Sequence, residues 1–256
     1  MASGLRFKDK VAIITGGCSG IGKGCVEVFV ENGGTVVVFD INDKVGNTLS
    51  IPGPGNVSYI HCDVTNEEEI KKSIDWTVEK HSKIDCLIND VGIHHGNHLI
   101  DELTVDSFRQ ILNVNVVSMF AMCKYALPHL RKTKGSIVNM SSFSGTNAQA
   151  ETPTYCSSKG VIIPLSKALA IDEAKNGVRV NTCANDNDGV VDVENGGGSD
   201  SRGCDGTSGD DDCNVNADYD VAVDTAGGCV DATEATFTTG AKLMCTGGCE
   251  IGIGVK

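Results

Sequence analysis

No run of about 18 apolar residues, the length a membrane-crossing helix requires, stands out in this 256-residue chain, although hydrophobic residues make up 40% of it. The opening residues Met1 to Arg6 lack the apolar stretch of a secretory leader. A cytoplasmic protein with no membrane partner is therefore expected. An excess of basic residues is also missing. Residues 1–184 carry a net charge of −1 and residues 185–256 a net −12. With no basic face to displace phosphate counterions, no nucleic-acid partner is expected. The twelve cysteines include no CxxC pair, and the nearest spacing, Cys245 to Cys249, has no second pair at zinc-finger distance. Scattered through a long chain, they read as free thiols. No carboxylate–histidine spacing supports a metal, and none is assigned.

The residues from Lys10 to Ala184 alternate short β-branched runs with stretches of helical periodicity. Strands are predicted at 11–15, 35–40, 57–63, 84–89, 135–141 and 177–183, and helices near 20–32, 67–81, 105–131 and 154–175. Parallel strands need crossovers of about this length, and right-handed crossovers give a doubly wound sheet. The expected fold is a single α/β domain over 1–256: a Rossmann-type parallel sheet of about seven strands, helices on both faces. Trp76, the one tryptophan, is expected to pack its helix against the sheet.

Thr15-Gly16-Gly17-Cys18-Ser19-Gly20-Ile21-Gly22 follows an apolar strand and opens a helix. Glycines there permit a tight turn and close approach of a ligand, and the amides at the helix start favour an anion such as a pyrophosphate. Asp40 ends the second strand, where a carboxylate can accept both ribose hydroxyls of an adenosine and repel a 2′-phosphate. The turn itself has no Arg or Lys, so NAD is expected rather than NADP. Asp63, with Val64 behind it, stands where it could hold the adenine amine. Tyr155 and Lys159 are four residues apart, on one helix face. A free phenol titrates near pH 10, so a neighbouring ammonium is needed for it to act as a base near neutrality.

Taken in order, Thr15–Gly22, Asp63-Val64, Asn89 to Gly92, Asn115, Ser141-Ser142, the Tyr155/Lys159 pair and Val178 to Asn181 resemble the short-chain dehydrogenase/reductases. The resemblance covers residues 8–184 and returns at Thr238 to Gly248, which looks like that family's last strand. The wording of Ala126 to Lys132 and of Gly247 to Gly252 resembles the 17β-hydroxysteroid dehydrogenases of the family. The resemblance implies that Gly16, Ser19, Gly20, Ile21, Gly22, Asp40, Asp63, Val64, Asn89, Gly92, Tyr155 and Lys159 bind the cofactor. It also implies roles at the reacting centre. Tyr155 would exchange a proton with the substrate oxygen, Lys159 would assist it and hold the nicotinamide ribose, Ser142 would bond the reacting oxygen, and Asn115 would hold a relay water. His94 and His95, with Ser142 and Tyr155, would meet a small alcohol or ketone. A homo-oligomer, dimer or tetramer, is likewise implied.

Two departures from the family's wording stand out. The chain has Asn89-Asp90-Val91-Gly92 where the family shows Asn-Asn-Ala-Gly, placing an anion and a bulkier side chain beside the cofactor. Between Asn185 and Gly240 there is no Leu, Ile, Met, Pro, Lys, His, Gln or Trp, too little apolar surface to offset ordering entropy. That stretch, 185–240, is where a substrate lid is expected. It reads as an acidic loop held by a partner, as an acidic metal segment, or as lettering that departs from the side chains of the folded lid. The metal reading lacks an acid at Ala184 and a Glu at Asn195. Correct spacing with improbable lettering favours the third reading, and peptide sequencing of the stretch decides it. The functions left standing are an NAD-dependent dehydrogenase of a secondary alcohol, steroid-like by resemblance, a sugar (aldose) dehydrogenase, and a non-catalytic NAD-binding protein.

Overall fold

Valine and isoleucine runs bounded by glycine turns make the first two strands, β1 (Val11–Thr15) and β2 (Thr35–Asp40), which lie where the sequence places them. The computed structural model describes residues 5–184 together with 242–244 and 250–252. Four more strands join the same sheet: β3 (Asn56–His61), β4 (Cys86–Asn89), β5 (Ser136–Met140) and β6 (Arg179–Cys183). All pair in parallel, in the order β3-β2-β1-β4-β5-β6. Side chains alternate across the sheet, and both faces are covered. Ala12, Ile14, Val36, Val38, Ile88 and Val138 enter one apolar core; Ile13, Val37, Phe39, Leu87 and Ile137 enter the other. Each fully buried Val, Ile, Leu or Phe side chain contributes about 1.5–3 kcal/mol.

Helix α1 (Gly20–Glu31) covers the first core through Val26, Phe29 and Val30. A short α2 (Asp43–Gly46) follows β2. The second core is covered by α3 (Glu67–His81), by the long helical stretch from Val105 to Thr133 and by α6 (Pro153–Ala174). Asn66 caps α3, accepting from the Glu68 and Glu69 amides, and three glutamates fill its first turn, complementing the helix dipole. Its buried residues are Ile70, Ser73, Ile74 and Thr77. Trp76 falls on the opposite face, 37% exposed, with the Lys80 ammonium 4.4 Å from its ring. It does not pack on the sheet as expected, because helical phase turns it about 240° away from Ile70.

The long stretch is one helix in the sequence and three pieces in the structure: α4 (Val105–Leu112), a π-turn (Asn113–Val117) and α5 (Ser118–Thr133). By length and composition it could cross a membrane. Met119, Met122, Ala126 and Leu130 bury its inner side on the sheet instead.

Six strands form the parallel sheet among the described residues, against about seven expected. The run at 238–248 does supply a strand, β7 (Lys242–Met244), but it pairs antiparallel with β8 (Glu250–Gly252) rather than with β6. The lid expected at 185–240 lies outside the described residues.

Candidate active site

Strand order reverses between β1 and β4: the chain builds outward from β1 to β3, then crosses back to β4 on the other side. In open parallel sheets, ligands bind in the crevice at such a reversal, beyond the carboxyl ends of the strands. The glycine turn leaves β1 and the segment 90–95 leaves β4 at this point. Thr15 joins them, its hydroxyl accepting from the amides of Asp90 at 3.0 Å and Val91 at 3.3 Å.

The turn has the backbone a diphosphate cradle needs. Gly16 and Gly20 have φ of +71° and +53°, a region that side chains with a Cβ rarely adopt. A Cβ on Gly22 would lie 2.4 Å from the Gly16 carbonyl, whereas one on Gly20 would meet open space. Ser19 is the N-cap of α1, in extended backbone, and its side chain makes no capping hydrogen bond. Ser19 thus leaves the Gly20 and Ile21 amides uncapped, a helix start that can receive an anion. Asp40 ties the turn to the end of β2: one carboxylate oxygen accepts from the Cys18 amide at 3.0 Å and the other from the Asn42 amide at 2.9 Å. Carboxylate oxygens accept more than one bond each, so ribose hydroxyls can still be accommodated. Burial, with Asp40 beside it, pushes the Cys18 thiol up to about 12, so Cys18 is an inert packing group. The residues present thus fit an adenine dinucleotide.

One of the expected contacts has its side chain turned elsewhere. Asn89 donates to Asn139 at 2.8 Å and to the Cys123 sulfur, inside the core between β4, β5 and α5. Its side chain therefore points away from the crevice, as strand alternation dictates. Asp63 uses one oxygen to accept from the Thr65 amide and hydroxyl, at 2.9 and 2.7 Å, in a local turn ahead of α3, with Val64 buried beside it.

Tyr155 and Lys159 lie on the first turns of α6, which begins with Pro153 at a position where a missing N–H costs nothing. Lys159 is buried. Its ammonium donates to the Met140 carbonyl at the end of β5 at 3.0 Å and lies 5.8 Å from the Tyr155 ring centre. Ser141 fixes the same turn of α6, donating to the Lys159 carbonyl at 2.9 Å. Ser142, fully buried, accepts from the Ser144 amide at 2.9 Å and starts a short 3₁₀ turn, Phe143–Gly145, packed on α6. A Cβ on Gly145 would come within 2.8 Å of the Lys159 backbone, and one on Gly92 within 3.2 Å of the Lys159 ammonium nitrogen. A side chain at Gly92 would make the Lys159 ammonium give by a few tenths of an ångström.

Asn115 occupies the π-turn. Its Oδ1 accepts from the Ile93 amide at 2.7 Å, while Nδ2 donates to the Ile93 carbonyl and the Ser158 hydroxyl, both at 3.0 Å. Its side chain is thus engaged in holding the 90–95 segment over α6. That segment carries His94, whose ring centre lies 4.6 Å from that of Tyr155, and His95, whose buried Nδ1 has no protein partner. Two members of the site escape the sequence: Ser158, and the Met140 carbonyl, which no side-chain motif could reveal. Among the described residues no group of His, Cys, Asp and Glu is arranged to hold a metal.

Asp90, the anion the sequence placed beside the cofactor, sits at the same crevice. Its carboxylate accepts the Gly22 amide, and Lys159 is the cation that acts on it. Dense packing around it nevertheless pushes the carboxyl up to about 6.

Residues 10–194 match the family model described as short chain dehydrogenase. An L-fucose dehydrogenase from Bos taurus is 36% identical over 270 positions, covering all of this chain and 95% of the relative. Another from Mus musculus is 37% identical over 260, covering all of this chain and 94% of the relative. A meso-2,3-butanediol dehydrogenase from Serratia marcescens is 34% identical over 179, covering 70% of this chain and 71% of the relative. None of these three is named for a steroid, so the expected tie to the 17β-hydroxysteroid dehydrogenases is not what they support. A glycine turn at the sheet's reversal, a Tyr–Lys pair on α6, and a family match across most of the chain make this protein an oxidoreductase of the short-chain dehydrogenase family.

Proposed function

We propose that this chain is an NAD-dependent dehydrogenase that oxidises a hydroxyl of a sugar or small polyol, L-fucose being the first candidate. The observation that carries the reading is similarity across the whole chain to L-fucose dehydrogenases. The wall of the crevice supports it. The buried Nδ1 of His95, beside His94, suits a ligand rich in hydroxyls, whereas a steroid skeleton is matched by apolar walls.

The glycine turn and Asp40 hold the dinucleotide, with Asp40 selecting against a 2′-phosphate. The nicotinamide, when bound, supplies the acceptor for a hydride. Tyr155 takes the proton of the substrate hydroxyl as its carbon–hydrogen bond breaks, and the Lys159 ammonium stabilises the phenolate that makes this possible. Ser142 hydrogen-bonds the reacting oxygen and holds it in line. Asn115 acts through Ile93, fixing the segment that carries His94. The exposed apolar residues Val117, Phe120, Val161 and Ile171 on α5, its preceding turn and α6 support a homo-oligomer assembled through these helices.

The test is formation of NADH or NADPH with a panel of L-fucose, other aldoses, meso-2,3-butanediol and a 17β-hydroxysteroid, each with NAD and with NADP. Turnover of a sugar or diol with NAD is the expected result. Preference for the steroid, or for NADP, overturns the reading. Binding of NAD with no turnover of any of them would favour a non-catalytic dinucleotide-binding protein instead, a reading motivated by Asp90.

A further inference from the structure

We propose that Asp90 couples dinucleotide binding to the uptake of a proton: its carboxyl sits at the head of the glycine turn, and a diphosphate is held there when that carboxyl is neutral. This rests on the reading of the turn as a dinucleotide site. The placement of Asp90 carries the inference. Its Oδ2 lies 2.8 Å from where a Cβ on Gly22 would stand and 3.6 Å from where one on Gly16 would stand, so it touches both ends of the turn. It accepts the Gly22 amide, one of the donors at the start of α1. Among the described residues, the one charge that acts on it is Lys159 from α6. From β1 comes the neutral Thr15 hydroxyl, which is used on the backbone of residues 90 and 91. The π-turn brings the neutral Asn115 amide, bonded to Ile93.

A diphosphate adds two negative charges to this site. One ammonium then faces three anionic charges in a region of reduced dielectric, and like charges at such range raise the proton affinity of the weakest acid among them. Asp90 is that acid. In the free protein its carboxyl already titrates near 6, because burial outweighs both Lys159 and the Gly22 amide. A bound diphosphate moves it higher. Between the free and bound values the protein takes up a proton as the dinucleotide enters. Affinity is then greatest below about pH 6 and falls by up to about tenfold for each pH unit above it, levelling off once Asp90 is ionised in the complex as well.

Isothermal titration of the full chain with NAD at about pH 7.5, in two buffers of different ionisation enthalpy, counts the protons directly and requires no turnover. The expected result is net proton uptake in the wild type, a fraction of one proton per dinucleotide. Asp90→Asn abolishes that uptake and flattens the dependence of Kd on pH between about 6 and 8. Uptake near zero in the wild type overturns the inference, and so does uptake that persists in Asp90→Asn. His61, paired with Asp43 near the end of β3 and pushed upward by it, is the control: His61→Gln retains the uptake, and its loss there overturns the assignment to Asp90. If Asp90→Asn does not fold, the wild-type proton count and His61→Gln still decide. Failure of the wild type to bind NAD at any pH overturns the dinucleotide reading itself, whereas binding without proton uptake overturns this inference alone.

Discussion

Strand β4 is flanked by an aspartate at either end, and the two are treated in opposite ways. Asp85, at the amino end, is buried with the Val11 amide at 2.9 Å on one oxygen, Lys83 at 3.0 Å and Lys10 at 3.3 Å. Asp90, past the carboxyl end, has one ammonium and one amide, and stands in the mouth of the crevice. Neutralising every demand of a buried carboxylate yields a fixed corner; leaving part of the demand open yields a group whose charge responds to what arrives. The amino end of this sheet is built for persistence and the carboxyl end for chemistry.

The sharpest way to test that division is at the carboxyl end. Tyr155→Phe removes the proton acceptor and is expected to lower kcat by about 10²–10⁴-fold. NAD binding and the denaturation midpoint stay close to wild type; a simultaneous loss of stability would blur the contrast. Gly22→Ala is next. Its methyl would have to displace the Gly16 carbonyl, so the expected result is loss of measurable NAD binding by titration, with destabilisation of about 1–3 kcal/mol for overpacking.

At the amino end the pattern reverses. Asp85→Ala leaves the Val11 amide buried without its acceptor, at a cost of about 1–3 kcal/mol in urea unfolding, while KM and kcat of the folded fraction hold. Reduced kcat without reduced stability would contradict the division. A smaller effect is expected of Glu173, buried on α6 and held by Arg131 through both oxygens at 2.9 and 2.5 Å, with Asn176 alongside. Those bonds keep its carboxyl below its ordinary value of 4.5. The linked stability is therefore present above pH 4.5 and drains away as the pH falls through the lower folded value. Glu173→Gln flattens that acid limb, read as the unfolding midpoint against pH. The smallest effect is that of Trp76→Ala, on the solvent face of α3, expected within about 0.5 kcal/mol of wild type.

How far the sequence could be read is set by the same physics. β1 and β2 were legible to the residue because runs of buried Val and Ile stop at glycines and an aspartate. β3 and β4 came out shorter than predicted, at 56–61 and 86–89 against 57–63 and 84–89, since buried Cys62 after β3 and Ile84 before β4 extend the apolar pattern beyond the paired positions. Periodicity alone also placed Trp76 in a helix without asking which side of that helix it occupies, although Ile70 and Ile74 already marked the inner side. Asn89 shows the complementary lesson. A motif assigned it to the cofactor, while the alternation along β4, with Leu87 facing the second core, already sends its side chain inward. That Tyr155 and Lys159 lie near one another was legible because their four-residue spacing puts them on one helix face. The Met140 carbonyl that receives the lysine was not, since any residue type supplies a carbonyl.

The π-turn at Asn113–Val117 has one further effect. An extra residue in a helical turn acts like a slipped tooth in a gear: every side chain after it is rotated by about 100° relative to an unbroken helix. The half that precedes the slip and the half that lies on the sheet therefore keep separate phases. Deleting a single residue there would restore an ordinary helix and, in the same stroke, swing Asn115 off Ile93 or lift Met119 and Met122 from the core. The two halves can drift in composition independently, but the count of residues between them cannot.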